Sequence, residues 1–295
     1  MGLAISLSYN SLLKKGDFVF DIIKSVILGF IEGITEWLPI SSTGHLKLAG
    51  NWLNFENVSQ GFPQMFDYVI QLGAIMAVVV IFWNKLWPFT SKEKGFIKRK
   101  SMMLWSKVIV AMIPAAVAGI LLDDWVEGLL VDSKIEASVI SATLILYGIA
   151  FIVIESVNAK RKPKTISVKA LTYKDALLIG LFQVLSIIPG TSRSGSTILG
   201  AIILGVSRTV AAEFSFFLAV PVIFGASFLK LVKFGFNFTG AEFVVLAVGM
   251  ISAFIVSILA IKFLLGYIKK KDFKAFGYYR IVLGLIVLGY FWILA

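Results

Sequence analysis

Two polar turns interrupt the apolar sequence of this chain: Leu38-Pro39-Ile40-Ser41-Ser42-Thr43-Gly44-His45 and Pro189-Gly190-Thr191-Ser192-Arg193-Ser194-Gly195-Ser196-Thr197. Each turn follows an apolar segment, at 18–38 and 175–188, and precedes a short apolar run, at 46–53 and 198–206. An apolar helix that breaks at a proline and continues through a polar turn into a short helix is typical of a hairpin that enters a membrane and returns to the same side. We therefore predict two re-entrant helical hairpins.

The composition outside the turns is that of a membrane protein. Of the 295 residues, 58% are hydrophobic and 15% are charged, whereas soluble domains have about 45–50% and about 25%. The absence of cysteine excludes a disulfide scaffold and iron–sulfur or cysteine–zinc sites. Six segments are long enough to cross a bilayer, at 65–83, 103–122, 137–157, 209–229, 243–268 and 276–295. We predict an all-α polytopic membrane protein with a single membrane domain over 1–295.

The two hairpins divide the chain into similar halves, approximately 18–157 and 175–295. Each half contains one hairpin and three crossings, and an odd number of crossings inverts the second half relative to the first. An inverted-topology repeat is therefore predicted. When the two turns are aligned on their prolines, Ser42 falls opposite Ser192.

The basic residues predict the orientation. The formal net charge is +11, which in a soluble protein would suggest nucleic acid, but basic residues also collect in cytoplasmic loops of membrane proteins. Segments 84–107, 156–174 and 262–280 hold seven, six and six basic residues, whereas 122–136 holds one. We expect the three rich loops to be cytoplasmic and both termini to lie outside. The first hairpin then enters from outside, the second enters from the cytoplasm, and their tips meet near the midplane. No nucleic acid partner is expected.

The first hairpin carries a pair of acidic residues and the chain's one histidine. Glu32 and Glu36 lie one helical turn apart and share a face. Because an ionised carboxylate at membrane depth costs ~2.5–3.5 kcal/mol, the pair indicates proton transfer, metal binding, or both. His45 follows three hydroxyl residues and a glycine, and its imidazole can act as acid, base or nucleophile.

The second turn is typical of an anion site. Gly190 and Gly195 allow backbone N–H groups to converge on an anion. Hydroxyl donors stand at Ser192, Ser194, Ser196 and Thr197. Arg193 supplies a planar, permanent charge, and its partner is expected to be either the carboxylates of the first hairpin or a phosphate substrate.

Three polar residues outside the turns give weaker indications of a functional role. Asp67 and Gln71 lie one helical turn apart at the start of a crossing, where they could line a pocket or simply pack. Arg208 is expected to be an interfacial residue paired with Glu213.

Segments 32–45 and 189–197 resemble the two signatures of the undecaprenyl-pyrophosphate phosphatases, the bacitracin-resistance family. The resemblance implies an enzyme of the bacterial cytoplasmic membrane that hydrolyses undecaprenyl pyrophosphate to undecaprenyl phosphate and inorganic phosphate. Such an enzyme recycles the lipid carrier of cell-wall synthesis and confers bacitracin resistance. The resemblance also implies an active site open to the outer face, an inverted repeat with two re-entrant hairpins, and a homodimer.

The resemblance, together with the residues of the turns, assigns the site. The catalytic set is Glu32, Glu36, Ser42, His45 and Arg193. The substrate-binding set is Ser41, Thr43, Gly190, Ser192, Ser194, Ser196 and Thr197. A divalent metal, Mg or Ca, is implied by the family, with Glu32 and Glu36 as its ligands, and no organic cofactor is expected. The nucleophile stays open between Ser42, His45 and a water activated by His45.

Two other classes of membrane protein share some of these features. Inverted repeats and buried carboxylates are also typical of transporters, including flippases of polyprenyl phosphates. A proton-coupled carrier would need Glu36 but no nucleophile, so replacing Ser42 and His45 discriminates between the two. A type-2 phosphatidic acid phosphatase would need a second histidine, which the chain lacks.

Overall fold

The structure is a computed structural model that describes residues 2–56, 58–89 and 96–294. These residues form helices and contain no β-strand. The helices are α1 Gly2–Thr35, α2 Ser42–Gly50, α3 Phe62–Ile81, α4 Trp83–Leu86, α5 Arg99–Leu129, α6 Ser133–Asn158, α7 Tyr173–Val184, α8 Arg193–Ile203, α9 Arg208–Phe234, α10 Gly240–Ile268 and α11 Lys274–Gly289. A 3-10 turn, Leu185–Ile187, follows α7, and a π-helical turn, Tyr290–Leu294, follows α11.

Within the described ranges, six helices are long and apolar enough to cross a membrane. They are Phe62–Ile81, Arg99–Leu122, Ser133–Asn158, Arg208–Phe234, Gly240–Ile268 and Lys274–Ile293. The six predicted crossings are confirmed, and their ends differ from the prediction by a few residues. The all-α class is confirmed as well.

Local sequence explains where several helices begin. Asp132 caps α6 by accepting hydrogen bonds from the backbone of the first turn. Thr172 with Asp175 forms a capping box before α7, and Thr239 with Glu242 forms one before α10. These side chains satisfy N–H groups that have no partner inside the helix.

Glycines bring the helices of the interior into close contact. The α1 helix packs along α10, α7 packs along α5, α3 lies against both α9 and α10, and α6 packs along α11. A Cβ on Gly29 of α1 would lie 2.4 Å from the carbonyl oxygen of Gly249, and a Cβ on Gly180 of α7 would lie 2.1 Å from that of Ala111. Only glycine permits these backbones to approach so closely.

One predicted ion pair is wrong. Arg208 does not pair with Glu213 but with Glu155 of α6, whose carboxylate accepts from Nε at 2.9 and 3.0 Å and from Nη2 at 2.5 Å. Glu213 pairs with Lys85 at 2.7 Å. Residues five apart on a helix point in different directions, so Arg208 and Glu213 cannot face each other.

Candidate active site

The two polar turns have the same backbone geometry. Ser41 and Ser192 are the N-caps of α2 and α8, with φ of 73° and 70°. The Ser41 hydroxyl accepts from the N–H of Gly44 at 3.5 Å, and the Ser192 hydroxyl accepts from that of Gly195 at 3.1 Å. Positive φ is uncommon for residues other than glycine and is concentrated at functional sites. The predicted alignment was therefore wrong by one residue: Ser41, not Ser42, corresponds to Ser192, because the second turn is one residue longer.

A buried arginine that the sequence analysis missed joins the turns. Arg280 of α11 is fully buried. Its Nη1 donates to the carbonyl oxygen of Pro39 at 3.2 Å, and its Nη2 donates to those of Gly190 and Thr191 at 2.8 and 2.9 Å. The guanidinium therefore holds the first turn and the second turn against each other. An arginine inside the predicted crossing 276–295 was the signal that could have revealed it.

Arg193 and Glu36 connect the two hairpins. Nη2 of Arg193 donates to Oε1 of Glu36 at 2.7 Å, and Nη1 donates to the carbonyl oxygen of Ser215 at 2.7 Å. The hydroxyl of Ser42 donates to the other oxygen of Glu36, Oε2, at 3.1 Å. Of the two partners that the sequence left open for Arg193, the side chain contacts the carboxylate. The sites predicted at Glu36, Ser42 and Arg193 are thus one hydrogen-bonded group.

Glu32 is a buried carboxyl group of this region without a hydrogen-bond partner in the part of the chain that the structure describes. It is fully buried, and no N–H or O–H group of the described residues donates to either of its carboxylate oxygens. Glu36 lies one helical turn further along the chain, and Asp67 of α3 is close enough to act on Glu32 electrostatically. The region therefore holds more carboxyl groups than Arg193 can pair with.

The two carboxylates, Glu32 and Glu36, are the predicted ligands of a divalent metal. Within the described residues, no group of three or more His, Asp or Glu side chains is placed to hold a metal ion. Mg²⁺ is often bound by one or two carboxylates together with substrate phosphates. The unsatisfied oxygens of Glu32, with Glu36 beside them, fit that mode of binding and do not fit a closed site made of protein ligands alone.

His45 is held by two hydrogen bonds that do not involve Ser42. Its Nδ1 lies 2.7 Å from the carbonyl oxygen of Ser41, and its Nε2 lies 2.6 Å from the hydroxyl oxygen of Tyr279. Burial lowers the pKa of His45, and the positive charge of Arg280 lowers it further, although the bond to Ser41 acts in the opposite direction. These effects favour a neutral imidazole near pH 7.

The remaining hydroxyls of the second turn point to protein partners. Ser192 and Ser194 bond to each other at 3.2 Å, and Ser196 donates to the hydroxyl of Tyr147 at 3.0 Å. Thr197, fully buried, lies 2.7 Å from the hydroxyl of Ser215. In this structure these side chains support the turn on which Gly190 and Arg193 stand.

A cavity of about 710 Å³ adjoins the first turn. Ser42 and Thr43 line it together with Asp67 and Gln71, and so does Pro189 of the second turn. Leu28, Leu46 and Phe55 add apolar surface. The cavity therefore leads from an amphipathic entrance to the hydroxyl that contacts Glu36.

The fold and the site together define a multi-pass α-helical membrane protein with a buried serine–carboxylate–arginine group between two polar turns. A protein-family model described as "Bacitracin resistance protein BacA" matches residues 25–286. The chain belongs to this family.

Curated relatives share most of the chain. It is 58% identical over 275 residues to the undecaprenyl-diphosphatase of Lachnoclostridium phytofermentans, covering 93% of this chain and 98% of that protein. It is 57% identical over 275 residues to the undecaprenyl-diphosphatase of Enterococcus faecalis, covering 92% and 97%. The undecaprenyl-diphosphatase of Acetivibrio thermocellus is 56% identical over 273 residues, covering 92% and 98%. The resemblance seen in the two turns thus extends over nearly the whole sequence.

Proposed function

We propose that this chain hydrolyses undecaprenyl pyrophosphate to undecaprenyl phosphate and inorganic phosphate. It thereby recycles the lipid carrier of cell-wall synthesis and confers resistance to bacitracin. The relatives that carry the name undecaprenyl-diphosphatase support this substrate. The observation that carries the proposal is the hydrogen bond from Ser42 to Glu36, because it places a hydroxyl and a base together at the wall of a cavity.

The pyrophosphate binds where the two turns meet. The α2 and α8 helices both begin there, and the N-terminus of a helix attracts anions through its free N–H groups and its dipole. Arg193 lies at the start of α8 and can bind phosphate oxygens through its planar guanidinium. The undecaprenyl chain extends along the apolar wall of the cavity.

Ser42 is the nucleophile in this proposal. Glu36 accepts the proton of the Ser42 hydroxyl as Oγ attacks the terminal phosphorus, and the phosphoanhydride bond breaks to release undecaprenyl phosphate. The proton on Glu36 passes to the departing undecaprenyl phosphate. Water then attacks the phosphoserine and gives a proton to Glu36, which returns it to Ser42 Oγ as inorganic phosphate leaves. His45 is not the base for Ser42, because its two ring nitrogens contact Ser41 and Tyr279.

A divalent cation, Mg²⁺ or Ca²⁺, would be held by Glu32 and Glu36. When bound, it supplies positive charge that stabilises the charge developing on the pyrophosphate oxygens. Glu32 is suited to this role because its carboxylate oxygens have no hydrogen-bond donor from the described residues.

The proposed arrangement in the membrane is an inverted repeat with two re-entrant hairpins. Helix contacts support it, because exchanging the halves turns the pair α1–α10 into α7–α5 and the pair α1–α2 into α7–α8, while α3–α9 and α6–α11 map onto themselves. Pro63, Val126 and Glu136 line the cavity at the end of the molecule opposite the basic loops. The positive-inside rule then puts the site on the outer face of the bacterial cytoplasmic membrane and both termini outside. Assembly as a homodimer remains a prediction.

The proposal is tested by phosphate release from a polyprenyl pyrophosphate in detergent, with and without EDTA. Wild type and an Arg99→Ala variant, which loses an exposed charge, are expected to be active, and Arg193→Ala is expected to be inactive. Acid-quenched reactions are expected to contain phosphoserine in wild type and none in Ser42→Ala. Full activity in Ser42→Ala would overturn the serine nucleophile. Absence of phosphate release by folded wild type would overturn the hydrolase, and a liposome flux assay would then test the transporter.

A further inference from the structure

Tyr279 makes contacts that the mechanism above does not use. It lies on α11, next to Arg280, and its hydroxyl oxygen is 2.6 Å from Nε2 of His45. The phenol and imidazole rings are nearly parallel, with 7° between their planes and 5.6 Å between their centroids. His45 is therefore fixed by a hydrogen bond to a phenol whose ring lies nearly parallel to its own.

The hydrogen-bond partners determine which nitrogen of His45 carries the hydrogen. The carbonyl oxygen of Ser41 can only accept, so Nδ1, at 2.7 Å, must be the donor. In a neutral imidazole Nε2 is then an acceptor, and the hydroxyl of Tyr279 must donate to it. Arg280 is the charged group whose field acts on this ring, and it favours the neutral form.

We propose that Tyr279 is a positioning residue of the active site: its hydroxyl fixes neutral His45 with the hydrogen on Nδ1, and this N–H holds the Ser41 carbonyl. The proposal rests on the proposed function, because Ser41 immediately precedes the nucleophile assigned there. Ser41 has a φ of 73°, a conformation that a serine keeps only when its surroundings enforce it. Tyr279 and His45 therefore help to hold the turn that presents Ser42 to Glu36.

The chain offers an unusually direct test, because His45 is its only histidine. Histidine-selective ¹⁵N labelling of the detergent-solubilised protein gives two ring-nitrogen resonances, both from this residue. In wild type near pH 7 we expect a protonated Nδ1 and an unprotonated, hydrogen-bonded Nε2. A wild-type spectrum with the hydrogen on Nε2 would overturn the proposal without any variant.

The variant Tyr279→Phe keeps the ring and removes the hydroxyl. We expect the Nε2 resonance to move toward the position of a free unprotonated nitrogen, and the titration midpoint of His45 to rise, because a donor to the neutral form has been lost. Tyr278→Phe is the matched control: Tyr278 is the neighbouring, exposed tyrosine. It should leave both resonances unchanged. Unchanged resonances in a folded Tyr279→Phe protein would contradict the proposed bond.

Activity gives a second readout. Loss of one hydrogen bond that positions the nucleophile is expected to lower kcat about three- to tenfold with little change in KM. Tyr278→Phe should keep both constants. A lower kcat in Tyr279→Phe without any change at the His45 nitrogens would assign Tyr279 a different role. Since the spectrum needs no substrate, failure of hydrolysis and failure of the positioning role are distinguishable.

Discussion

Arg280 offers the sharpest test of how the active site is held together. Replacing it with methionine keeps much of the side-chain volume and removes donors to three buried carbonyl groups, those of Pro39, Gly190 and Thr191. A hydrogen bond from a charged donor contributes ~1.5–3 kcal/mol. Loss of three such bonds would cost about 4.5–9 kcal/mol, but methionine avoids the desolvation of the guanidinium, which offsets part of this cost and leaves a net loss of about 3–5 kcal/mol. At about 2–4 °C per kcal/mol, Tm should fall on the order of 10 °C.

The measurement is thermal unfolding in detergent, followed by tryptophan fluorescence. Arg99→Met is the matched control, because it removes the same charge from an exposed position. Arg280→Lys should lie between wild type and Arg280→Met, since an ammonium keeps the charge but not the planar fork. The reasoning is refuted if Arg280→Met and Arg99→Met unfold at the same temperature and both hydrolyse substrate at the wild-type rate.

Three further substitutions have defined outcomes. Glu32→Gln should leave Tm unchanged or higher, because the carboxyl group that it replaces is buried and has no hydrogen-bond donor among the described residues. Activity should fall about a hundredfold or more. A lower Tm would show that the fold stabilises this carboxyl group. Ser192→Ala should be less stable than Ser192→Gly by about 1–2 kcal/mol, because alanine keeps the strain of positive φ and glycine does not. Equal stabilities of the two variants would contradict the backbone conformation at Ser192. Glu155→Gln should lower Tm more than Glu213→Gln does, since Glu155 is buried against Arg208 and Glu213 pairs with an exposed lysine. A larger fall in Tm for Glu213→Gln would contradict the pairing described for α9.

Sequence patterns were sufficient to predict the helices and the two turns that the structure brings together. The six crossings follow from runs of apolar residues, because a bilayer imposes a minimum length on them. Glu36, Ser42 and Arg193 lie in or beside two polar turns. Because polar residues at membrane depth have few roles other than function, their grouping could be predicted from the sequence. Neither inference requires knowledge of side-chain packing.

Side-chain partners between distant helices were not accessible in this way. The partner of Arg208 lies 53 residues away on α6, and no periodicity connects the two positions. The role of Tyr279 likewise depends on contact between α11 and α2, which are 234 residues apart at this point. The one-residue error at Ser41 arose because prolines were aligned, whereas the structure aligns the N-caps.

The close pairing of α6 with α11 has a mechanical consequence. Toward the cavity end, this pair has an apolar cluster of its own, with Leu144 and Leu283 at its centre. Its connections to the two turns include the polar contacts of Arg280, of Tyr279 with His45, of Tyr147 with Ser196 and of Thr143 with Pro189. A perturbation that moves this pair relative to the other helices is therefore expected to displace the residues that hold the turn presenting Ser42.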